Sequence, residues 1–597
     1  MKKTIVLSTI MALGVVMTPG AFSQEGLLFG YCGDYSSSMG AINANTKQVG
    51  AAIEIPAEQA QQWAGNQVIS MNIGYGYSSV NEVTIFVTED LNGEPVYTQE
   101  ATIPVMGGWN TITLDTPYNI TDKGFFVGYT TKVNTMEDSP IGIDDIKSSE
   151  PYGAWADLYG TWQGIGRFYG NVCVKISVAG DNLPQYDIAA VDLKIAPIVE
   201  AGKPFTAYLN IRNNGVKAIT EATVSGKLNG VQLSNLTASV PAGILSGYEG
   251  EIEVAGLVMD NTGTGNELEI ELLTVNGNED ETPFDNLAAA TFSCAQETFK
   301  RNVVVEEFTG TWCGNCPAGI VAMAYMRENY GADGFIGIAG HYGDEMQVTS
   351  YAPVVEKFGV NGYNEVALPS CVINRAIQTY PATENIEYYY LQEARFPVGA
   401  GVTVKADYDT DGKFFEINSE SRFSFDEDNA TYALAYVVIQ DGVGPYTQTN
   451  YFSGGNFGGL EGWNELPAKV EMYFNEVVRE IRTAFGIIGS IPGSVTALTT
   501  YPHTTVMDMS GVDDFDVSQC EVVALLINTK TMEVVNAAKA HPSIDGAGVE
   551  GIEMSSEPEI YRVFNVQGVK VLETKDASLI NSLEPGIYIV NGKKVKL

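Results

Sequence analysis

The stretch Val303-Val304-Val305-Glu306-Glu307-Phe308-Thr309-Gly310-Thr311-Trp312-Cys313-Gly314-Asn315-Cys316-Pro317 decides how this chain is read. The apolar run at its start predicts a buried strand. A short turn follows, and the spacing predicts a helix over Ala318 to Tyr330, with Pro317 just ahead of it. A pair of cysteines placed where a strand hands over to a helix is a redox arrangement. The positive end of the helix lowers the pKa of Cys313, and the thiolate is the attacking species in disulfide exchange.

Working outward, Cys313 reads as the exposed nucleophile and Cys316 as the buried resolving thiol. Glu307 lies six residues before Cys313, and strand alternation sends Glu306 to the opposite face. The arrangement resembles that of thioredoxins, in which a buried acid occupies the place of Glu307; the resemblance implies that its carboxyl takes the proton from Cys316 as that thiol attacks a mixed disulfide. The same resemblance to thioredoxins implies that Pro369, just before the apolar run Cys371-Val372-Ile373, is the cis-Pro that lies against Cys313. His341 ends the apolar run Gly334 to Gly340, which in a parallel sheet is the edge that carries the dithiol. It reads either as a group tuning the thiolate or as a surface or capping histidine. Cys371 reads as a buried core residue ahead of a third redox thiol.

Two other readings of the dithiol compete with a redox pair. Zinc needs four ligands at paired spacing. No second Cys-x-x-Cys occurs and His341, His503 and His541 are scattered, so no metal and no cofactor are expected. A static structural disulfide remains the alternative to a redox pair. Asp407-x-Asp409-x-Asp411-Gly412 imitates the start of a calcium loop, but Asn418 stands where the bidentate Glu belongs, and a hairpin turn explains it better. No Gly-x-Ser-x-Gly elbow marks a serine nucleophile.

At 597 residues the chain needs several cores. Its net charge of −40 repels phosphate backbones and excludes nucleic acid as an expected partner. Lys2 and Lys3, the apolar run Thr4 to Met17 and Ala21-Phe22-Ser23 form an export signal over 1–23. No later run reaches the roughly 18 apolar residues of a spanning helix. The expected location is exported, in the cell envelope, at the outer membrane or surface or in the periplasm. Export permits disulfides. Beyond Cys313–Cys316, Cys32 and Cys173 lie at the two ends of the first domain and are a candidate staple. Cys294, Cys371 and Cys520 read as small buried apolar residues.

Composition and patterning predict a multidomain, mostly β protein. Residues 24–180 read as a jelly-roll β domain with short strands such as Gln67 to Met71 and Glu82 to Val87. Trp155, Tyr159, Trp162, Phe168 and Tyr169 crowd its end and read as core ahead of a sugar-stacking platform. Residues 186–296 read as an Ig-like β-sandwich, in which Asn276 to Asp285 is a solvated acidic loop. Residues 298–396 alternate strand and helix, as a thioredoxin-like α/β domain does; Glu345 to Phe358 is expected to be a helix kinked at Pro353. Residues 397–545 return to a β-sandwich, interrupted by the aromatic, Gly-rich insertion Tyr446 to Trp463. Residues 546–597 form a small C-terminal β module.

Several stretches resemble known families. Gly107-Gly108-Trp109-Asn110 through Asp115 with Gly124-Phe125-Phe126-Val127-Gly128-Tyr129 resembles the jelly-roll modules of Bacteroidetes surface adhesins. Ile211-Arg212-Asn213-Asn214-Gly215 resembles immunoglobulin-like spacers of exported bacterial proteins. Leu583-Glu584-Pro585-Gly586 through Val595 resembles type IX secretion sorting modules. Residues of about 298 to 545 resemble the Bacteroidetes outer-membrane family named for a twenty-eight-kilodalton antigen. Glu306 to Gly310, Cys313-Gly314-Asn315-Cys316-Pro317, Leu368-Pro369-Ser370 and Asn374-Arg375 carry that resemblance, and Phe474 to Arg479 matches it in part. It implies a thioredoxin-like half running into a β domain and an envelope location.

Two functions follow. The first is an exported thiol–disulfide oxidoreductase acting on protein thiols or disulfides. The second is a non-enzymatic surface adhesin binding glycans or envelope proteins, with the thioredoxin-like fold as a spacer. Enzyme or binding protein stays open at this point.

Overall fold

A computed structural model describes residues 26–40, 46–135, 138–144, 152–241, 243–360, 365–458, 460 and 462–544, and in the last segment 561–565, 570–574, 579, 580, 583, 587–590 and 593–596. Residues 1–23, where an export signal is expected, and most of 546–597 lie outside the described residues. The protein is a multidomain, mainly β structure whose contacts divide it into two compact units.

The first unit comprises residues up to Ile195 with Pro204–Val258 and Asn266–Thr291. Its first part holds two six-stranded antiparallel sheets. One is centred on Gln67–Tyr77, flanked by Val174–Ala179 and Gly108–Asn119; the other runs through Gln48–Ile55, Phe125–Lys132 and Glu82–Thr88. Alternating side chains such as Val49, Ile53, Met71, Tyr75, Ile85, Val127 and Tyr129 fill one core. The aromatics at the end of this part do not fill it. Trp155 and Trp162 are half-buried against Phe126 and Phe86, whereas Tyr159 and Tyr169 are exposed and Phe168 is 73% exposed, because Tyr159 sits on the bend between two short strands and the other two on a single helical turn. Further on, Ile188–Lys194, Pro204–Asn213, Glu249–Val258 and Thr237–Ser239 form a four-stranded antiparallel sheet. Ala222–Leu228 pairs with Gly263–Val275 beyond them.

The second unit carries the dithiol in an eight-stranded mixed sheet. Val303–Thr309 lies between the parallel strand Phe335–His341 and the antiparallel strand Ser370–Ile373, which pairs with Ile377–Thr379. Phe335–His341 joins Val477–Ile487 at Ala339↔Val477, and the sheet continues through Tyr432–Gln440, Cys520–Asn528 and Val534–Ala540. Residues from the 298–396 and 397–545 ranges thus share one hydrogen-bonded sheet. Alternation gives the first strand two apolar faces. Val303 and Val305 pack with Ala322, Met326 and Tyr390 of the helices Pro317–Tyr330 and Thr383–Ala394. Val304 and Phe308 pack with Tyr351, Val355 and the β strands beyond.

The helix expected over Glu345 to Phe358 is shorter. It spans Ala352–Phe358, and Pro353 stands in its first turn instead of kinking its middle. A proline is tolerated there because that N–H has no intrahelical acceptor to lose. The Asp407 to Gly412 segment is the turn of the Ala400–Asp409 and Phe414–Phe423 hairpin. Among the described residues no helix is long and apolar enough to cross a membrane.

Candidate functional site

Cys313 and Cys316 are joined as a disulfide at the end of the Val303–Thr309 strand. Cys316 caps the Pro317–Tyr330 helix, and Pro317 occupies the first turn. The strand leads straight into the turn because Cys313 N donates to Gly310 O, closing a tight reversal.

Glu307 is buried on the helix side of its strand. Its carboxyl lies against the first helical turn, where a side chain added at Gly319 would stand 2.0 Å from Glu307 Oε1. Gly319 N in turn bonds Cys316 O, one turn back. Oε1 has no hydrogen-bond partner among the described residues. Burial, and then the Glu476 carboxylate, push Glu307 up to about 8. Burial also raises Glu476, to about 7, against the opposing Arg327 guanidinium, whose Nη1 is 3.6 Å from Glu476 Oε2. A cavity of about 30 Å³ lies among Glu307, Thr309, Met323, Arg327, His341 and Glu476, enough to hold a water.

Glu306 points the other way. It is fully buried and held by Arg375 Nε at 2.7 Å, Arg375 Nη2 at 2.8 Å and Tyr351 OH at 2.6 Å. Arg375 also donates from Nη1 to Ala484 O at 2.6 Å. This is a satisfied structural ion pair, and its separation from Glu307 follows from strand alternation alone.

His341 stands opposite Thr309 in the parallel register, at the dithiol edge of the sheet. It is buried, which removes the reading as a surface histidine. Its Nδ1 is 2.7 Å from Asp344 Oδ2, and its ring meets Phe474 edge to face. Asp344 also accepts from the N–H groups of Thr311 and Met346. Burial raises the Asp344 carboxyl, but the bonds from His341 and these amides outweigh it, and the net shift is downward. Asp344 thereby fixes both the histidine and the turn that carries Cys313.

The Leu368–Pro369 bond is cis, and Pro369 is buried. It lies one residue beyond the Phe308↔Ser370 pair, next to the strand end that feeds the dithiol turn. Cys371, opposite Glu307, is a buried thiol whose pKa is raised by burial and then by Glu307.

The expected exposure of Cys313 is not met. Cys313 is 5% exposed and Cys316 is fully buried, while the neighbouring Trp312 is open to solvent. The cover comes from the Tyr446 to Trp463 insertion. Thr449 N bonds Thr311 O, Tyr451 N bonds Gly314 O, and Gln448 Nε2 donates to Cys313 O at 2.8 Å. The Tyr451 ring lies so close to Gly314 that a Cβ there would be 2.3 Å from it. Trp463 is buried beneath, in a core with Phe452 and Ala318. Sequence reading marked this insertion as aromatic and Gly-rich but gave no signal that it seals the dithiol. It also missed Glu476, although the partly matching stretch Phe474 to Arg479 contains it.

Cys32 and Cys173 are not bonded. Continuing the Leu27↔Val178 to Gly30↔Lys175 register by two residues sets them opposite each other as free cysteines, and Cys32 Sγ donates to Val174 O at 4.0 Å. Cys294, Cys371 and Cys520 are buried free thiols.

No family model matches the chain, and no curated protein does. Solved structures give distant likenesses. HBP35 of Porphyromonas gingivalis aligns with 18% identity over 50% of this chain and 98% of its own, with a TM-score of 0.32. The CARDB domain of PF1109 from Pyrococcus furiosus aligns in solution with 16% identity over 19% of this chain and 100% of its own. The same domain in complex with di-metal ions aligns with 15% identity over 20% and 100%, and both have a TM-score of 0.16. At these TM-scores none of the likenesses bears on function.

Proposed function

We propose that this is an exported cell-envelope protein whose Cys313–Cys316 pair exchanges disulfides with protein thiols, on a thioredoxin-like unit built from residues 298–396. The observation that carries the reading is the Glu307 carboxyl, buried against the first turn of the helix that Cys316 caps, with Oε1 lacking a hydrogen-bond partner among the described residues. A carboxyl with a pKa of about 8 accepts and returns a proton near neutral pH. In the exchange, the Cys313 thiolate attacks a substrate disulfide and expels one substrate thiolate. Cys316 then loses its proton to Glu307 and attacks the mixed disulfide, so the substrate leaves fully reduced and Cys313–Cys316 is oxidised. Pro369 is assigned to the substrate-docking edge and His341 to holding the turn through Asp344. A static disulfide in the same place gains nothing from a buried carboxyl with an unsatisfied oxygen, which only costs folding free energy.

The test is equilibration of the full chain in glutathione buffers, with the thiol state of Cys313 and Cys316 read by alkylation and mass spectrometry. Exchange with a potential above about −300 mV is expected. A lower value with no exchange marks a structural bond and ends the proposal.

A second reading, a binding protein, draws on the exposed Tyr159, Phe168 and Tyr169. Exposed rings stack on sugars. Glycan-array binding that is lost on Phe168→Ala favours it; no binding leaves those rings as margin residues.

A further inference from the structure

The segment Asn276 to Asp285, read from sequence as a solvated loop, is exposed over most of its length but turns inward at Asp280. Asp280 is only 8% exposed, and Asp187, at the start of the Ile188–Lys194 strand, is 9% exposed. Together with Asp285 they bring one carboxylate oxygen each within 4.8 Å of one another. Asp187 Oδ1, Asp280 Oδ2 and Asp285 Oδ1 are all buried without a hydrogen-bond partner among the described residues. So is Oδ1 of the next residue, Asn286.

The backbone holds these groups in place. Asp280 Oδ1 accepts from Ile188 N at 3.0 Å, leaving Oδ2 free to face the other carboxylates. Glu281 Oε1 accepts from the N–H groups of Gln185 and Tyr186, and Glu281 N returns a bond to Tyr186 O. Asn214 N and Gly215 N both bond Asp187 O. The charges acting on Asp187 are all carboxylates, Asp280, Asp285 and Glu281, and among the described residues none of the three aspartates makes an ion pair. Burial and then the Asp280 carboxylate push Asp187 up, the mark of like charges held close together. Several like charges fixed in a nearly dry site need a counter-charge.

We infer that Asp187, Asp280 and Asp285 form a Ca²⁺ site that ties the 280–286 segment to the start of the Ile188–Lys194 strand. The donors are all oxygen, which selects a hard cation over zinc or copper. A separation within 4.8 Å matches the span across one ion ligated at about 2.3–2.6 Å, and irregular donor sets suit Ca²⁺ better than Mg²⁺.

The experiment uses the full chain stripped with EDTA. Calcium chloride is titrated by isothermal calorimetry, and thermal unfolding is followed in EDTA, calcium chloride and magnesium chloride. One Ca²⁺ is expected to bind and to raise one unfolding transition by about 5 °C or more at saturation, with Mg²⁺ giving less. D280N keeps the acceptor for Ile188 N, and circular dichroism checks its fold. It is expected to weaken Ca²⁺ binding at least about tenfold and to lose the thermal shift. No heat and no shift in wild type at about 5 mM Ca²⁺, above the weakest extracellular sites, overturns the site. An undiminished shift in D280N places the ion elsewhere and overturns it too. A D187N/D280N chain that is more stable than wild type in every buffer shows carboxyls sharing protons and does the same.

Discussion

Replacing Glu307 by Gln separates the two consequences of burying that carboxyl. Its folded value of about 8 lies above its ordinary 4.5, so between those values the folded chain holds a proton that the unfolded chain has released. Stability therefore falls as pH rises through that window and levels off above about 8. At pH 7 the folded carboxyl is about nine-tenths protonated, and keeping that proton from the unfolded value of 4.5 up to pH 7 costs about 3 kcal/mol. Glu307→Gln removes the cost, since an amide never ionises. The variant is expected to be more stable than wild type by up to about 3 kcal/mol at pH 7 and by almost nothing at pH 4. Its disulfide exchange is expected to move the opposite way. Wild type should accelerate between pH 7 and 9 as Glu307 ionises, and the variant should lose that limb and resolve mixed disulfides at least about tenfold more slowly. Calorimetry of the full chain across pH 4–9, beside stopped-flow reduction of a peptide disulfide, reads both. A variant that is less stable at pH 7, or one whose exchange keeps the wild-type pH profile, refutes the assignment of Glu307 as the buried proton acceptor.

Four other perturbations test the same geometry. Gly319→Ala places a Cβ 2.0 Å from Glu307 Oε1, so despite the better helix propensity of Ala it is expected to destabilise by about 1–3 kcal/mol; a stabilised variant in thermal melts means the carboxyl is not seated there. Tyr451→Ala uncovers Gly314 and Cys313, and the rate at which dithiothreitol reduces the pair should rise severalfold; an unchanged rate shows that the insertion does not shield it. Arg375→Met leaves Glu306 buried and unpaired and should cost about 3–5 kcal/mol in denaturant unfolding, whereas a loss under about 1 kcal/mol contradicts the buried pair. Mild oxidation should join Cys32 to Cys173 with no change in circular dichroism, and closing so long a loop should stabilise the first unit by about 4 kcal/mol; peptide mapping that finds both still free under oxidant rules out their apposition.

The residues differ in how far the sequence disclosed them, and the reason is the range of the interaction that positions each one. Alternation along a single strand fixes Glu306 and Glu307 on opposite faces, so two adjacent letters sufficed to separate the Arg375 partner from the carboxyl under the helix. The helix beginning at Pro317 is equally local, since a proline in the first turn loses no hydrogen bond. The burial of Cys313 is not local. It depends on backbone bonds from Thr449 and Tyr451, more than a hundred residues later, and a Gly- and aromatic-rich stretch carries no mark of what it will pack upon. The inward turn of Asp280 within the otherwise exposed acidic segment 276–285 was hidden for a related reason. Charge and turn residues predict solvent exposure only while the chain has no use for those charges, and Asp280 is drawn inward by the Ile188 amide at the start of a strand ninety-odd residues earlier. Burying a carboxylate there costs free energy unless something answers its charge. Long-range placement therefore left its trace as a violation of local expectation, at Glu307 under the helix and at Asp187, Asp280 and Asp285 beside the strand. In both places buried carboxylate oxygens lack partners among the described residues, and in both the physical chemistry asks for a small positive species, a proton at one and a divalent cation at the other.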